Sequence, residues 1–407
     1  MEDIRYVLSK YKNGVLSFAH NTKTNRLESV GFTPMSETSE HINIGDIFVA
    51  KVVNTAKQLN AVFIHYAPNK TGYLPIGKND VPIITNRTYD GRILAGDDIL
   101  VQLEKEAVRT KEPVFTLNLS LAGKYSVISS TNTYKGVSKK CTKTEKEMLL
   151  RAIPQDIKYG VVIRTNAAVL LQDKHHYEQN VLQPITDEII QLNKKLSDLL
   201  SVGIHRTCYS CIWQSPPFYL TNMRDERSKY QQIITDDNDL YDEILEFVSL
   251  YMPEQLSNIS LYQDASYPLK KLYRVETQLD ELLSSKVWLK SGAYLVIEKT
   301  EAMYVIDVNS GKNIAKKENA QYIYQINIEA AQEIMRQIRL RNLTGMILID
   351  FINMEDEKKD LELLQELRIL AKKDRILTTV VDMTALGLVE LTRKKTTKSL
   401  AEQLTQK

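Results

Sequence analysis

The sequence predicts an α+β protein of several domains, and three observations carry that prediction. Short strand-like segments crowd residues 42–122. A mixture of helix and strand patterns follows, and the last third alternates strands with long helices. At 407 residues the chain is long enough for about two to four domains, each with its own core.

The elements read as follows. Residues 1–40 are short strands broken by turn residues at Lys12-Asn13-Gly14 and Asn21-Thr22-Lys23. Segments 47–53, 61–66, 72–75 and 99–103 are rich in β-branched and aromatic residues, and such short strands so close together suggest a small barrel. Thr144 and Glu147 have capping-box spacing and open a short helix through Leu149 and Leu150. Residues 159–164 form a strand. Residues 186–202 form a helix capped by Thr186, with Asp187 and Glu188 in its positive first turn. Ile189, Leu192, Leu196 and Leu199 line one face of it. Residues 204–235 are strand-like and 240–251 helical. Residues 293–298 and 303–308 are strands, and 318–340 is a long helix with Ile323, Ile326, Ala330, Ile334 and Ile338 at helical spacing. A buried-type strand at 345–351, a helix at 361–372 and a final strand at 376–382 complete the pattern.

Hydrophobic residues make up 43% and charged residues 26%, the balance of a soluble globular protein. Lys plus Arg number 53 against 51 Asp plus Glu, so no global basic field announces a nucleic-acid partner, and such a site must come from local clustering. The N-terminus shows no secretory signal, and no apolar run approaches the ~18 residues of a membrane span. Three cysteines, Cys141, Cys208 and Cys211, make no disulfide framework and point to a reducing cytoplasmic setting.

The sharpest constellation pairs Val305-Ile306-Asp307-Val308-Asn309 with Leu348-Ile349-Asp350-Phe351. Each aspartate follows an apolar run suited to a central strand. A strand, a crossover helix and a strand form a right-handed parallel unit. Both aspartates then lie near one carboxyl edge, where open α/β sheets bind ligands. Two carboxylates held close repel unless a cation neutralises them, and Mg²⁺ accepts such oxygen ligands. Asn309, two residues on, shares the face of Asp307 and could hold it, or a metal-bound water, in place. Spacing alone also fits two aspartates that merely end strands and cap helices.

In the barrel, Phe63 and Tyr73 flank a turn with Asn69, Lys70 and Gly72, and Lys51 and Lys57 lie nearby in sequence. Exposed aromatics there would stack on bases while lysines track phosphates. The alternative is that both rings belong to the core. Arg109 and Lys111, in the following loop, would add phosphate contacts.

Over nearly its full length the chain resembles the catalytic half of the RNase E/RNase G endoribonucleases. The resemblance rests on Glu301-Ala302-Met303-Tyr304-Val305-Ile306-Asp307-Val308-Asn309-Ser310-Gly311-Lys312. It rests also on Asn327-Ile328-Glu329-Ala330-Ala331 and on Arg336-Gln337-Ile338-Arg339-Leu340-Arg341-Asn342-Leu343-Thr344-Gly345, which leads into the strand of Asp350. It implies a Mg²⁺-dependent endoribonuclease that hydrolyses single-stranded RNA in mRNA decay or rRNA processing and leaves 5′-phosphate products. Asp307 and Asp350 would hold Mg²⁺, or Mn²⁺, and Asn309 would support Asp307. It implies an OB-type RNA-binding barrel at 39–122 that uses Phe63, Tyr73 and Lys111. It implies a 5′-monophosphate sensor at 123–215 that uses Arg164, Thr165 and Val127. Barrel and sensor are then insertions into a split RNase H-like domain, 1–38 plus 216–280. A DNase I-like catalytic domain at 281–398 and a tail at 399–407 follow. A non-catalytic RNA-binding protein on the same scaffold is the alternative.

The chain departs from the family pattern in places. No C-P-x-C-x-G motif follows Ser399-Leu400, so zinc is not expected; a homodimer is possible, but the family's zinc-linked dimerisation is not what this sequence leads one to expect. Cys208-Tyr209-Ser210-Cys211 supplies two of about four zinc ligands and reads as a pair of small residues. Asn353 stands where many members have Asp. Asn166-Ala167 follows Arg164-Thr165 in place of Ala-Gly, which bears on 5′-end sensing more than on cleavage.

Overall fold

In the computed structural model of the chain, residues 3–35, 42–78, 80–107, 111–172, 179–226, 229–264, 266–311 and 320–405 are described. Three antiparallel strands come first, β1 (Ile4–Tyr11), β2 (Gly14–Asn21) and β3 (Arg26–Pro34). They reverse at the predicted turns. Lys12 takes a positive φ, and the Asn21 side chain accepts from the Lys23 and Thr24 amides.

Next come β4 (Ile47–Ala56), β5 (Ala61–Ala67), β6 (Lys70–Pro75), β7 (Asp98–Lys105) and β8 (Val114–Thr116). They pair in the order β4-β5-β6-β8-β7, and β7 pairs back onto β4, closing the expected barrel. Fully buried Phe115 packs in its core with Phe48, Ile64, Leu74, Ile99 and Val101. A Cβ on Gly72 would meet Phe115 Cε2 at 2.5 Å, so β6 needs glycine where that ring approaches its backbone.

The strands β9 (Ser120–Ala122), β10 (Ser126–Ser129), β11 (Lys135–Val137) and β12 (Gly160–Ile163) form a small sheet in the order β11-β12-β10-β9. Between β11 and β12 lies α1 (Lys143–Leu149), whose capping box is Thr142 with Glu145, two positions ahead of the expected Thr144 and Glu147. The same T-x-x-E spacing occurs in both frames, and the geometry selects the first. The long helix α2 (Gln179–Gly203) buries Ile185, Ile189, Leu192 and Leu196 against Leu121, Ile128, Val161 and Ile163. Thr186 does not cap it. The helix runs through Pro184, and Thr186 Oγ1 donates to the Ala152 and Leu182 carbonyls at 2.9 and 3.2 Å. Proline followed by threonine and two acids imitates a helix start, and packing on the sheet overrides it.

The stretch 204–235 is only partly strand. β13 (Cys211–Trp213) joins the barrel through β4, but α3 (Phe218–Asp225) is a helix that buries Tyr219, Leu220 and Met223. Pro217 stands just before its first turn, a position where proline is tolerated. β14 (Gln232–Thr235), α4 (Asn238–Tyr251), β15 (Ile259–Leu261), α5 (Leu269–Leu272) and α6 (Val275–Leu283) follow. β14 lies parallel to β1 and β15, giving the order β15-β14-β1-β2-β3. Leu269, Val275, Leu279 and Leu282 cover Val7, Leu16, Phe18 and Phe32 of that sheet.

The last part contains β16 (Lys286–Trp288), β17 (Tyr294–Lys299), β18 (Met303–Asn309), α7 (Ala320–Leu340), β19 (Gly345–Asp350), α8 (Glu357–Lys372), β20 (Thr378–Met383), β21 (Leu388–Arg393) and α9 (Leu400–Leu404). Its sheet has the order β16-β17-β18-β19-β21-β20, and β18–β19 is its parallel pair. β20 is therefore not final. β21 enters between β19 and β20, with Val389 and Leu391 buried and Glu390 and Thr392 exposed in two-residue alternation. Tyr304, Ile306, Val308, Ile347 and Ile349 pack with Ile326, Ala330, Ile334, Ile338, Leu363 and Leu367 of α7 and α8. The opposite face is open. Met346 is 50% exposed, so β19 is half-buried and not the fully buried strand expected.

The chain divides into two compact units. One comprises Met1–Met35, Tyr230–Glu243 and Asn258–Lys407, with the five-stranded and the last six-stranded sheets. The other comprises Ser36–Lys229 and Ile244–Ser257, with the barrel and the four-stranded sheet.

Overpacking at the barrel is testable. Gly72→Ala will cost about 1–3 kcal/mol, read as a lowered urea midpoint with unchanged slope.

Candidate active site

In the first unit, β18 and β19 pair from Met303↔Met346 to Asp307↔Asp350. The two aspartates are thus opposite one another on adjacent parallel strands, about 4.8 Å apart in strand spacing. Asp350 ends β19, and Asp307 lies one turn of the pleat before the end of β18. Asn309 Nδ2 donates to Asp307 Oδ2 at 2.6 Å, the contact that the two-residue spacing anticipates. Both aspartates sit on the open face of the sheet, Asp307 half-buried and Asp350 exposed.

The surrounding motif residues position this edge. Asn327 of α7 is fully buried. Its Nδ2 donates to the Ile352 carbonyl at 2.7 Å, and the Ile352 amide donates to its Oδ1 at 3.2 Å. The backbone just after Asp350 is clamped by one side chain. Glu329, on the same helix, accepts from the Lys290 amide at 2.8 Å in the β16–β17 turn. Gly311 has φ 72°, and a Cβ there would lie 2.4 Å from the Gly292 carbonyl, so the Asn-Ser-Gly ending of β18 requires glycine. Asn353 is exposed, and its side chain accepts from the Glu355 amide at 3.0 Å, an Asx turn.

The donor set suits a hard, hydrated divalent cation. Such an ion binds through one or two carboxylates and keeps several waters, and two carboxylates in register with one amide provide that. Among the described residues no group of three or more His, Cys, Asp or Glu side chains could hold a metal. Cys208 and Cys211 gather no such group. Cys211 Sγ donates to the Trp213 carbonyl at 3.3 Å within β13.

In the second unit, Phe63 and Tyr73 are directly paired across β5 and β6, with rings 5.8 Å apart at 62°. Their neighbours Val62, Ile64 and Leu74 fill the barrel core, while Phe63 and Tyr73 lie half-buried on its outer side. That decides between the core and surface alternatives. Lys111 is exposed and stands two residues before Pro113, whose carbonyl accepts from the Tyr73 amide. Lys51 is committed to Asp98 at 2.6 Å. Arg109 lies outside the described residues.

Val127 on β10 pairs with Val162 on β12, and Arg164 follows β12 with its amide on the Tyr125 carbonyl at 2.7 Å. Thr165 opens the 3₁₀ segment Thr165–Gln172. Arg164, Thr165 and Val127 therefore cluster at one end of this sheet. Arg164 Nη1 donates to the Gly123 carbonyl at 2.7 Å and to Asp225 Oδ1 at 2.8 Å. Arg224 Nε donates to the same oxygen at 2.9 Å. Burial pushes the Asp225 carboxyl up, but the two guanidiniums outweigh it and hold it at about 2. Asn166 Nδ2 donates to the Asp225 carbonyl at 3.2 Å, and Ala167 is fully buried. Glu188, expected at a helix start, instead accepts from the Lys124, Tyr125 and Ser126 amides and from the Ser126 hydroxyl. Burial outweighs these bonds and raises its pKa above the usual range. Sequence reasoning missed Asp225 altogether. The adjacent Arg224-Asp225 was the one local signal.

A model of the Ribonuclease E/G family matches residues 120–396. The chain belongs to that family. It is 30% identical to Ribonuclease G of Escherichia coli K12 over 375 residues, 89% of this chain and 74% of that protein. Ribonuclease G of Salmonella typhimurium is 29% identical over the same length and shares. Ribonuclease E of Synechocystis sp. is 29% identical over 371 residues, 88% of this chain and 53% of that protein. The family match spans the Asp307–Asn309–Asp350 edge and the Arg164 cluster. Among the described residues no helix is long and apolar enough to cross a membrane.

The Asp225 cluster sets a pH dependence. A carboxyl depressed from its usual 3.8 to about 2 stabilises the fold above its unfolded value, and the contribution fades as pH falls toward 2. Asp225→Asn will therefore cost on the order of 2 kcal/mol near neutral pH. The gap to wild type will close between about pH 4 and 2, in urea titrations at each pH.

Proposed function

We propose that the chain is a divalent-metal-dependent endoribonuclease that hydrolyses single-stranded RNA in RNA processing or decay and leaves 5′-phosphate ends. The observation that carries this reading is the in-register Asp307–Asp350 pair with Asn309 bonded to Asp307, set within the family's match. Asp307 and Asp350 would hold Mg²⁺ or Mn²⁺, which when bound neutralises charge at the phosphate and lowers the pKa of an attacking water. Asn309 fixes the orientation of the Asp307 carboxylate. Asn327 holds the end of β19 so that Asp350 keeps its register.

The barrel face provides binding without sequence choice. Phe63 and Tyr73 stack on bases at about 1–3 kcal/mol per base, and exposed Lys111 meets phosphates. Arg164, Thr165 and the Val127 backbone receive a 5′-monophosphate. The Arg164 guanidinium suits that ligand: Nη1 is engaged by Asp225 and Gly123, and the phosphate would take its remaining N–H donors. A preference for 5′-monophosphorylated RNA follows from that contact.

Asp307→Asn or Asp350→Asn will abolish cleavage of a short A/U-rich RNA while leaving its binding within about twofold, since the stacking face is remote in sequence from both. Asn309→Ala will lower the rate about 10- to 100-fold. Equal cleavage in excess EDTA would refute the metal requirement. Wild type will cut 5′-monophosphorylated RNA faster than its 5′-hydroxyl counterpart. Thr165→Val, which leaves the Asp225 contact in place, will reduce that ratio, and equal wild-type rates on both substrates would exclude the sensor.

A further inference from the structure

The open face of the six-stranded sheet carries a second group of residues beside the aspartates. Trp288 on β16 is 63% exposed, an unusual placement for the side chain with the most apolar surface to bury. Its ring lies 5.2 Å from that of Tyr294 on β17, at 58°. Lys286 Nζ lies 4.1 Å from the Trp288 ring centre and 3.8 Å from that of Tyr294. Strand register ties these residues to the candidate cleavage site. Trp288 pairs with Tyr294, and Tyr294 pairs with Asn309. In the adjoining row Lys286 pairs with Val296, Val296 with Asp307, and Asp307 with Asp350. Register partners point to the same face, so the aromatic pair, the lysine and both carboxylates share one surface. At about 4.8 Å per strand, Trp288 stands roughly 10 Å from the strand of Asn309, and Tyr294 half that.

We infer that Trp288 and Tyr294, with Lys286 between them, form a nucleobase-stacking platform that holds a base of the RNA strand next to the phosphate at Asp307 and Asp350. This rests on the nuclease reading for the identity of the strand. The ligand chemistry comes from the residues themselves. An exposed indole beside a half-buried phenol offers a π-face to any base, and a cation on those rings attracts the polyanion that carries it. The platform is continuous with the carboxylate row, so a base stacked there places its neighbouring phosphate toward the aspartates. It differs from the Phe63–Tyr73 pair, which lies on the barrel of the other unit. It fixes the strand beside the reacting bond, so its loss will raise KM and will also lower kcat for short substrates that depend on local positioning.

The sequence has two tryptophans, Trp213 and Trp288. In the full chain carrying Trp213→Phe and Asp350→Asn, Trp288 is the sole indole and the substrate stays uncut. Titration with a short single-stranded A/U-rich RNA will quench its fluorescence saturably, and a duplex of the same sequence will not. In the Asp350→Asn chain, Trp288→Ala will weaken binding of that RNA about 5- to 150-fold, and Trp288→Phe will restore most of it. Intact RNA binding without quenching overturns the platform. So does a Trp288→Ala variant that changes sedimentation while keeping full RNA affinity, because the face then belongs to a second copy of the chain. The two readings fail separately. EDTA-sensitive, Asp307-dependent cleavage with an unresponsive Trp288 sinks the platform alone. Quenching in a wild-type chain that does not cut RNA sinks the nuclease reading and leaves the platform standing.

Discussion

The parallel register of β18 and β19 is the constraint on which the candidate site depends. Slipping that pair by one residue would turn Asp350 away from Asp307 and send it to the helix side of the sheet. The crossover helix α7 guards against this from several directions. Asn327 grips the backbone after Asp350, and Glu329 grips the neighbouring β16–β17 turn. Farther along, Arg336 donates to Glu333 and to the Leu27 carbonyl, tying α7 to β3 within the same unit. Arg341 donates to Gln337 and to the Ser284 carbonyl. Asn342, in left-handed conformation at the helix end, bonds Thr397, the Lys398 carbonyl and Arg393, and Arg393 is itself paired with buried Asp374. Buried charges stabilise only when paired and fully hydrogen-bonded, so this network sets position more than it adds stability.

The helices α7 and α8 cover one face of the sheet and leave the other open. Tyr304, Ile306 and Val308 supply the core, while Val305, Asp307 and Asn309, interleaved with them, meet solvent. One strand thus packs on one side and presents Asp307 and Asn309 on the other with no compromise between them, because its side chains alternate. The same division runs through β5 and β6, where Val62, Ile64 and Leu74 fill the barrel and Phe63 and Tyr73 stay outside.

Much of this was legible in the sequence where local pattern and long-range packing agree. The strand–helix–strand unit, the aspartates at its edge and the Asn309 contact follow from two-residue and 3.6-residue periods alone. Legibility failed where a tertiary partner decides. Pro184-Ile185-Thr186 imitates a helix start, yet α2 continues through it because its apolar stripe finds a sheet to cover. Glu188 looked like a dipole partner, and only the distant chain at Lys124–Ser126 shows why a carboxylate stands there. Trp288 gave no signal, since its meaning lies in a register row that links three strands.

The Arg164 cluster carries two demands on one guanidinium. Nη1 closes the Gly123 turn and pairs with an aspartate held ionised down to about pH 2, so the pair stays charged throughout the physiological range. The Arg164 charge is partly answered by Asp225, and Arg224 brings a second cation to the same carboxylate. Asn166 reinforces the structural side by holding the Asp225 backbone. On the sensing reading, affinity for a 5′-monophosphate therefore depends on the whole group, two guanidiniums against one carboxylate, and not on Arg164 alone. The adjacent Asn166-Ala167 then belongs to the scaffold that sets this balance, with Ala167 fully buried in the core beneath that sheet.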